Sequence, residues 1–288
     1  MRIAFAAFAN QPAIAADEQS LAAYLAEQNI TVVPVVWDDP NADWRQYDAV
    51  VIRSTWDYYR KVDAFASWLD TLEALGCTVL NPVSVIRWNK HKEYLNRFAE
   101  QGIAVPDYVY CHQLGSANLS TMLQERGWHK AVVKPAISAG AFNTWVTTTA
   151  TAAADQAQFD TMLRESDVIV QTFMDEIHDG EISLVFFNKT FNHAVRKNAA
   201  EGDFRIQTQY GGTITAITPT PEVLHAAEAV MKLVSTPLLY ARVDGLIGKD
   251  GTFYLMELEL IEPRLYMQYG ENANENFYNA LRKLLSIG

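Results

Sequence analysis

The sequence is poor in cysteine: only Cys77 and Cys111 occur in 288 residues. That excludes a disulfide framework and offers no metal-binding spacing, and it fits a reducing, cytoplasmic setting. No run approaches the ~18 consecutive apolar residues of a membrane span, so no membrane partner is expected. The N-terminal MRIAFAAFANQPAIAADE has one Arg, a short apolar run and a quick return to acidic residues, and reads as a first buried strand rather than a signal peptide. Positive charge is also scarce, with 23 Lys and Arg against 34 Asp and Glu and a formal net charge of −11. Such a balance argues against nucleic acid as a partner, and an anionic ligand must be held by local basic groups. Neither a Walker loop nor a dinucleotide fingerprint is present. Internal repeats, linkers and low-complexity stretches are missing too; TATAAADQA is the only soft patch. No Ser–His or Cys–His arrangement suggests a covalent nucleophile.

What is present is a globular composition, 49% hydrophobic and 20% charged. Short apolar runs (RIAFAAF, TVVPVVW, YDAVVIRS, CTVLNP) alternate with helical patterns (DEQSLAAYLAEQN, VDAFASWLDTLEALG), which predicts a parallel α/β sheet with crossovers. Ligands of such sheets sit at the C-terminal strand ends, so the loops after Phe8 and after Ile52 are candidates. A helix over 89–102 and a strand VPDYVYC follow. A smaller unit over 112–176 then alternates strands and helices. The last third is richer in strands: EISLVFFN, TFNHAVRK, a polar loop, a helix over about 221–235, LLYARVDGLIG, TFYLMELEL and a closing helix from about 275. The expected class is α/β, with an α+β C-terminal part. Three units are expected: 1–88, 89–175 and 176–288.

MELELIEPRLYM, residues 256–267, carries the most chemistry. As a strand it puts Glu257 and Glu259 on one face and Met256, Leu258 and Leu260 on the other. Two like charges on a central strand are costly to bury. A hard divalent cation with oxygen ligands removes that cost. Asp244, in RVDG, would come close to Glu257 if the two strands pair antiparallel. The competing reading is an edge strand whose acids face solvent.

Lys134 ends the apolar run AVVKP and is either an edge residue or aimed into a cleft. The loop ISAGAFNT after it, with Ser138 and Gly140, can offer backbone N–H groups to phosphate. Lys90 and Lys92 begin a helix, and Lys197 and Arg205 flank the loop NAAEGDF; each alone also reads as a surface charge. VQTFM, with Gln171, Thr172, Phe173 and Met174, can line an adenine ring or simply be buried. Glu181 can accept from ribose hydroxyls or serve as a turn acid.

The order of these features resembles the ATP-grasp ligases over essentially the whole chain. Within them it is similar to the glutathione-synthetase-like branch that includes the O-ureido-serine cyclo-ligases of D-cycloserine formation. RSTWDY (53–58), NKHKEYL (89–95), VVKPAISAG (132–140), FNHAV (191–195), GDFRIQTQYGG (202–212) and MELELIEP (256–263) carry the closer likeness. The resemblance implies an N-terminal parallel subdomain and two α+β subdomains enclosing a nucleotide. Lys134 and Lys92, joined by Lys90, would hold ATP phosphates beside Ser138 and Gly140. Gln171 to Met174 would line the adenine pocket, and Glu181 the ribose. Asp244, Glu257 and Glu259 would hold Mg²⁺, read as two ions with Mn²⁺ as a substitute; Glu259 stands where many relatives use Asn. Lys197, where glutathione synthetases carry Arg, and Arg205 would stabilise the transferred phosphoryl group.

The implied reaction has two steps. A small amino-acid-like carboxylate attacks the γ-phosphate, and an amine or an internal nucleophile then attacks the acyl-phosphate, under a lid formed by 112–176. For the substrate pocket the candidates are Arg53 for a carboxylate, Trp56 and Tyr58 as walls, Asp57 for an amine, and Glu262 and Arg264. Two positions depart from the nearest relatives: Phe142 replaces an expected basic residue and Arg264 an expected small one. Partners beyond a small carboxylate and amine are not expected, and a homo-oligomer is left open. The alternatives are a catalytically inert nucleotide-binding protein and a small-molecule kinase on the same fold.

Overall fold

Residues 1–200, 205–206 and 211–286 are described by the structure, a computed structural model of the chain. The first apolar runs form β1 (Arg2–Ala7), β2 (Thr31–Val36), β3 (Ala49–Ser54) and β4 (Val79–Leu80), in the order β2-β1-β3-β4. All their pairings are parallel. The runs lack polar alternation because both sheet faces are covered. Ile3 and Phe5 pack with Leu21 and Leu25 of α1 (Gln19–Glu27), whereas Ala4 and Ala6 pack with Phe65 and Leu69 of α2 (Val62–Ala74).

The helix expected over 89–102 is broken into α3 (Val83–Asn89) and α4 (Tyr94–Glu100). Lys92 gives its backbone N–H to the Ala136 carbonyl at 2.9 Å, which takes the connecting residues out of the helical ladder. Next come β5 (Tyr108–Cys111), α5 (Leu119–Arg126), β6 (Lys130–Pro135), β7 (Trp145–Thr148), α6 (Ala152–Glu165) and β8 (Val168–Thr172). Asn118 caps α5 by accepting from the Thr121 N–H at 2.9 Å, and left-handed Gly127 (φ 66°) ends it. The strands make an antiparallel sheet in the order β5-β8-β6-β7. Val133 and Val170 face Leu123 and Phe159 of the two helices. By alternation Lys134 and Gln171 face the other way.

The third sheet has the order β11-β10-β9-β12-β13, from β9 (Glu181–Phe187), β10 (Thr190–Asn198), β11 (Thr213–Ile217), β12 (Tyr240–Ile247) and β13 (Phe253–Glu259). β11 falls in the stretch read as polar loop; it is a short, half-exposed edge strand whose pairing comes entirely from β10. α7 (Pro221–Leu233) covers one face, with Ala227 and Val230 against Leu184, Phe186 and Val243. The opposite face carries Glu181, Ser183, Arg242, Asp244, Glu257 and Glu259.

β13 is an edge strand, and exposed edges invite unwanted pairing. Here the edge is closed by side chains. Asn89 donates to Leu258 O (2.8 Å) and accepts from Leu260 N (3.0 Å), and the Tyr94 hydroxyl accepts from Leu258 N (2.9 Å). Asn81 does the same between sheets, donating to Tyr240 O (2.9 Å) and Leu260 O (2.8 Å) and accepting from Leu239 N (2.7 Å). The closing helix α8 (Ala273–Leu285) lays Phe277 against both Phe5 of the first sheet and Phe187 of the third.

One local feature departs from simple alternation. Asp244 pairs with Glu257 but Gly245 pairs with Leu255, so Met256 is the extra residue of a bulge. Gly245 is required there, because a Cβ would lie 2.3 Å from the Phe253 ring. The bulge turns Met256 away from the core face expected for it, to pack with Phe173, Met174 and Ile206. Among the described residues no helix is long and apolar enough to cross a membrane.

Candidate active site

A cavity of about 450 Å³ lies where the three sheets meet. The N-terminal part contributes Phe8, Trp56 and Tyr59 to its wall. β6, the loop after it and β8 contribute Lys134, Ser138, Gly140 and Gln171 to Met174. The third sheet contributes Glu181, Lys197, Arg242, Asp244, Met256, Glu257 and Glu259, and Arg205, Glu262 and Arg264 also line it. Lys92 is buried just behind, its ammonium donating to Ser138 O at 2.8 Å.

The acids of this wall are interleaved with bases. Glu257 stands 3.6 Å from Lys92 and 3.9 Å from Lys134. Burial works to raise its carboxyl, but the two ammonium groups outweigh that and hold it below the ordinary value. Burial lowers Lys134 in turn, against the pull of Glu257. Lys197 pairs with Glu181 at 2.5 Å and with Asp244 at 3.3 Å. Those two acids keep it well above an ordinary lysine despite its burial.

Arg242 was not singled out in the sequence, although R-V-D spacing places it on the same strand face as Asp244. Its Nε donates to Asp244 Oδ1 at 2.9 Å and its Nη2 to Oδ2 at 2.8 Å, and Nη2 also bonds Glu259. Ser183 Oγ adds a bond to Asp244 Oδ1 at 2.6 Å. Against burial, Arg242 and Lys197 hold the Asp244 carboxyl well below the usual range. Glu259 is instead pushed up to about 7 by burial, with Asp244 and Glu257 adding to the effect and Arg242 opposing it. Burial, reinforced by Glu259, pushes Glu262 up to about 8.

Oxygen donors of this kind suit a hard divalent cation. Glu257 and Glu259 share the face across from Asp244, and each is held by cations that a metal can replace. Both Asp244 oxygens, however, are occupied by Arg242, Ser183 and Lys197. Among the described residues no three His, Cys, Asp or Glu side chains already converge on one point. The donor set therefore fits a metal through its chemistry, with Glu257 and Glu259 the readier members.

The β8 side of the cavity has its own open valence. Gln171 is 2% exposed, and its Nε2 has no hydrogen-bond partner. A buried orphan donor on a cavity wall is costly, and a ring-nitrogen acceptor relieves it. Phe173, whose ring centroid lies 3.4 Å from the Lys130 ammonium, flanks it.

At the opposite end, several residues expected in the substrate pocket are elsewhere. Arg53 is 1% exposed, bonded through Nε to Glu18 at 2.7 Å and through Nη2 to Pro263 O at 2.8 Å, and stacked on Tyr240 at 4.6 Å. Tyr58 is packed in the N-terminal core against Phe65, with ring centroids 4.8 Å apart. Asp57 accepts from Trp37 Nε1 at 2.8 Å and pairs with Lys61 at 2.7 Å. None of the three lines the cavity; Arg53 is held by Glu18, Pro263 and Tyr240 and Asp57 by Trp37, all distant in sequence, and no local pattern announces them. Trp56, Glu262 and Arg264 do line it, with the Arg264 guanidinium 5.1 Å above the Trp56 ring and Trp56 Nε1 donating to Glu262 O at 3.2 Å.

Phe142, where a basic residue is expected, reaches the N-terminal part of the chain. Its ring lies 5.0 Å from that of Tyr59 and 5.1 Å from the Arg60 guanidinium. Of GDFRIQTQYGG, residues 202–204 and 207–210 around Arg205 lie outside the described residues.

Comparison with known proteins agrees with this architecture. Residues 96–271 match the RimK-like ATP-grasp domain family, and residues 3–81 match the family described as D-cycloserine synthetase DcsG, N-terminal domain. The chain is 27% identical over 275 residues to the cycloserine biosynthesis protein DcsG of Streptomyces lavendulae, covering 89% of each protein. Among solved structures it is similar to D-cycloserine synthetase DcsG, with a TM-score of 0.88 at 23% identity over 99% of this chain and 100% of that one. D-alanine–D-alanine ligase from Bacillus anthracis, complexed with ATP, aligns with a TM-score of 0.68 at 16% identity over 99% of this chain and 97% of that one.

Proposed function

The chain belongs to the RimK-like ATP-grasp domain family, and from that premise we propose that it is an ATP-dependent ligase. It activates a small amino-acid-like carboxylate as an acyl-phosphate and forms a C–N bond with it, either between two molecules or by closing a ring. One observation carries the reading: a single cavity wall alternates Lys92 and Lys134 with Glu257, and Lys197 and Arg242 with Asp244 and Glu259. Such a wall can take a polyphosphate and its metal together, because each can replace the other's counter-ions at no cost in net charge.

In this reading Lys92 and Lys134, with Ser138 and the backbone at Gly140, hold the phosphates. Gln171, Thr172, Phe173 and Met174 receive the adenine, with the Gln171 amide as donor, and Glu181 takes the ribose hydroxyls. Glu257 and Glu259, joined by Asp244, hold Mg²⁺; two ions, replaceable by Mn²⁺, match three carboxylates. When bound, the metal neutralises and orients phosphate oxygens. Lys197, Arg205 and Arg242 stabilise the charge on the phosphoryl group in flight. Units 1–88, 89–175 and 176–288 supply the substrate end, the lid and the metal strand. Phe142 holds the lid loop against Tyr59 and Arg60, which keeps water from the acyl-phosphate.

The likeness to the cycloserine proteins over both matched regions makes ring closure the first reaction to try. The test is a screen of small amino acids and amines for ADP release, with mass analysis of products. An amide or a lactam-type ring supports the reading. A phosphorylated end product would make the protein a kinase, and no turnover with any pair alongside weak, metal-independent ATP binding would make it an inert binder.

A further inference from the structure

Every acid on the cavity wall except Glu262 has a cationic partner among the described residues. Glu181 has Lys197, Asp244 has Arg242 and Lys197, Glu257 has Lys92 and Lys134, and Glu259 has Arg242. Glu262 is only 9% exposed, yet among the described residues no Lys, Arg or His forms an ion pair with it. Lys92 and Arg53 act on it only through space. A carboxyl this buried without a counter-ion is a standing cost that an incoming cation removes.

The surroundings say what kind of cation. Glu262 lies beyond the metal strand, on the side of Trp56 rather than of Gln171, and its carbonyl fixes the Trp56 indole at 3.2 Å. Trp56 packs against Phe8, with ring centroids 6.0 Å apart, and both line the cavity with Tyr59. The Trp56 ring already carries the Arg264 guanidinium at 5.1 Å and with Phe8 and Tyr59 walls this end of the cavity, so the open charge there is the Glu262 carboxyl, which suits an alkylammonium group as an ion-pair partner. Asp57, expected in this role, is already taken by Trp37 and Lys61.

We propose that Glu262 is the specificity residue for the substrate's amino group, held against Trp56, so that the enzyme prefers amino acids to the same acids lacking the amine. This rests on the ligase reading above and names which carboxylates it takes.

The test uses the full chain loaded with Mg²⁺ and a non-hydrolysable ATP analogue, titrated calorimetrically with paired probes. The probes are D- and L-alanine against propionate, and D- and L-serine against 3-hydroxypropionate. An amine-bearing probe is expected to bind at least ~10-fold more tightly than its partner, about one charge-assisted contact. Glu262→Gln is expected to reduce that ratio to about twofold or less while the analogue still binds, and Glu262→Asp to keep part of it should the Gln variant fold poorly. Equal affinity within each pair in the natural protein, no binding by any amine-bearing probe, or a preference that survives Glu262→Gln overturns the proposal. Failure of the analogue itself to bind overturns the ligase reading, and the assignment of Glu262 falls with it.

Discussion

Glu257 stands directly opposite Asp244 in the antiparallel pairing of β12 with β13, and the ladder slips by one residue just beyond them. Like charges so placed repel. They are tolerated because Lys92 and Lys134 flank the first and Arg242 and Lys197 the second. In the proposed site Glu257 is the acid that meets the metal, whereas Asp244 also anchors two bases. Glu257→Gln should lower ATP turnover at saturating Mg²⁺ by about 10²-fold or more, the cost of losing one preorganised charge at a reacting group. Steady-state ADP release measures it, and unchanged turnover removes Glu257 from the metal set.

Arg242 and Asp244 form an enclosed ion pair of the wall, with side chains 7% and 3% exposed. Removing one partner of a buried pair leaves an uncompensated charge, at about 3–5 kcal/mol. Arg242→Met leaves Asp244 with Lys197 and Glu259 without its ion-pair partner, so it should lose stability toward the lower end of that range in denaturant titration. Adding Asp244→Asn should recover a large part of it, and strict additivity of the two losses would show the pair to be uncoupled.

Phe142, at a position where a basic residue is expected, clasps Tyr59 and Arg60. An aromatic pair is worth about 0.5–1.5 kcal/mol, which shifts the ratio of closed to open lid by up to about tenfold. Phe142→Ala should therefore raise the share of ADP formed without ligated product, read as the ratio of ADP to product. A ratio equal to that of the natural protein means the clasp does not guard the intermediate.

Glu262 sets a pH dependence in the nucleotide-free, metal-free protein. Its folded carboxyl is pushed up by burial to about 8 from the ordinary 4.5, so the folded state binds the extra proton between those limits. Stability from this group is full below about pH 4.5 and is lost as pH rises through about 8. Glu259, pushed up to about 7, acts in the same direction. Melting temperature of the natural protein should thus fall relative to Glu262→Gln as pH goes from 5 to about 8.5, and parallel curves would contradict the burial assigned to this carboxyl.

Much of this was legible from residue order alone. Alternation put Glu257 and Glu259 on one face, and strand pairing brought Asp244 opposite, because both follow from the two-residue period of a strand. Met256 escaped because a bulge breaks that period, and its only trace in the sequence is Gly245, whose Cβ has no room beside Phe253. Arg242 was within reach of the same alternation rule and was passed over. Arg53, Asp57 and Tyr58 were read as substrate groups because they sit at a strand end; their actual partners Glu18, Trp37 and Phe65 are set by tertiary packing. The break between α3 and α4 comes from a hydrogen bond to Ala136, which no helical pattern announces.

The acyl-phosphate is tested most directly by oxygen transfer. An amino acid that supports ADP release is supplied with both carboxyl oxygens labelled as oxygen-18, together with ATP and Mg²⁺, and the released phosphate is analysed by mass. Activation at the carboxylate predicts one labelled oxygen in each inorganic phosphate and an amide or ring product retaining the other. ADP release with unlabelled phosphate, or label retained in a phosphorylated end product, would contradict it.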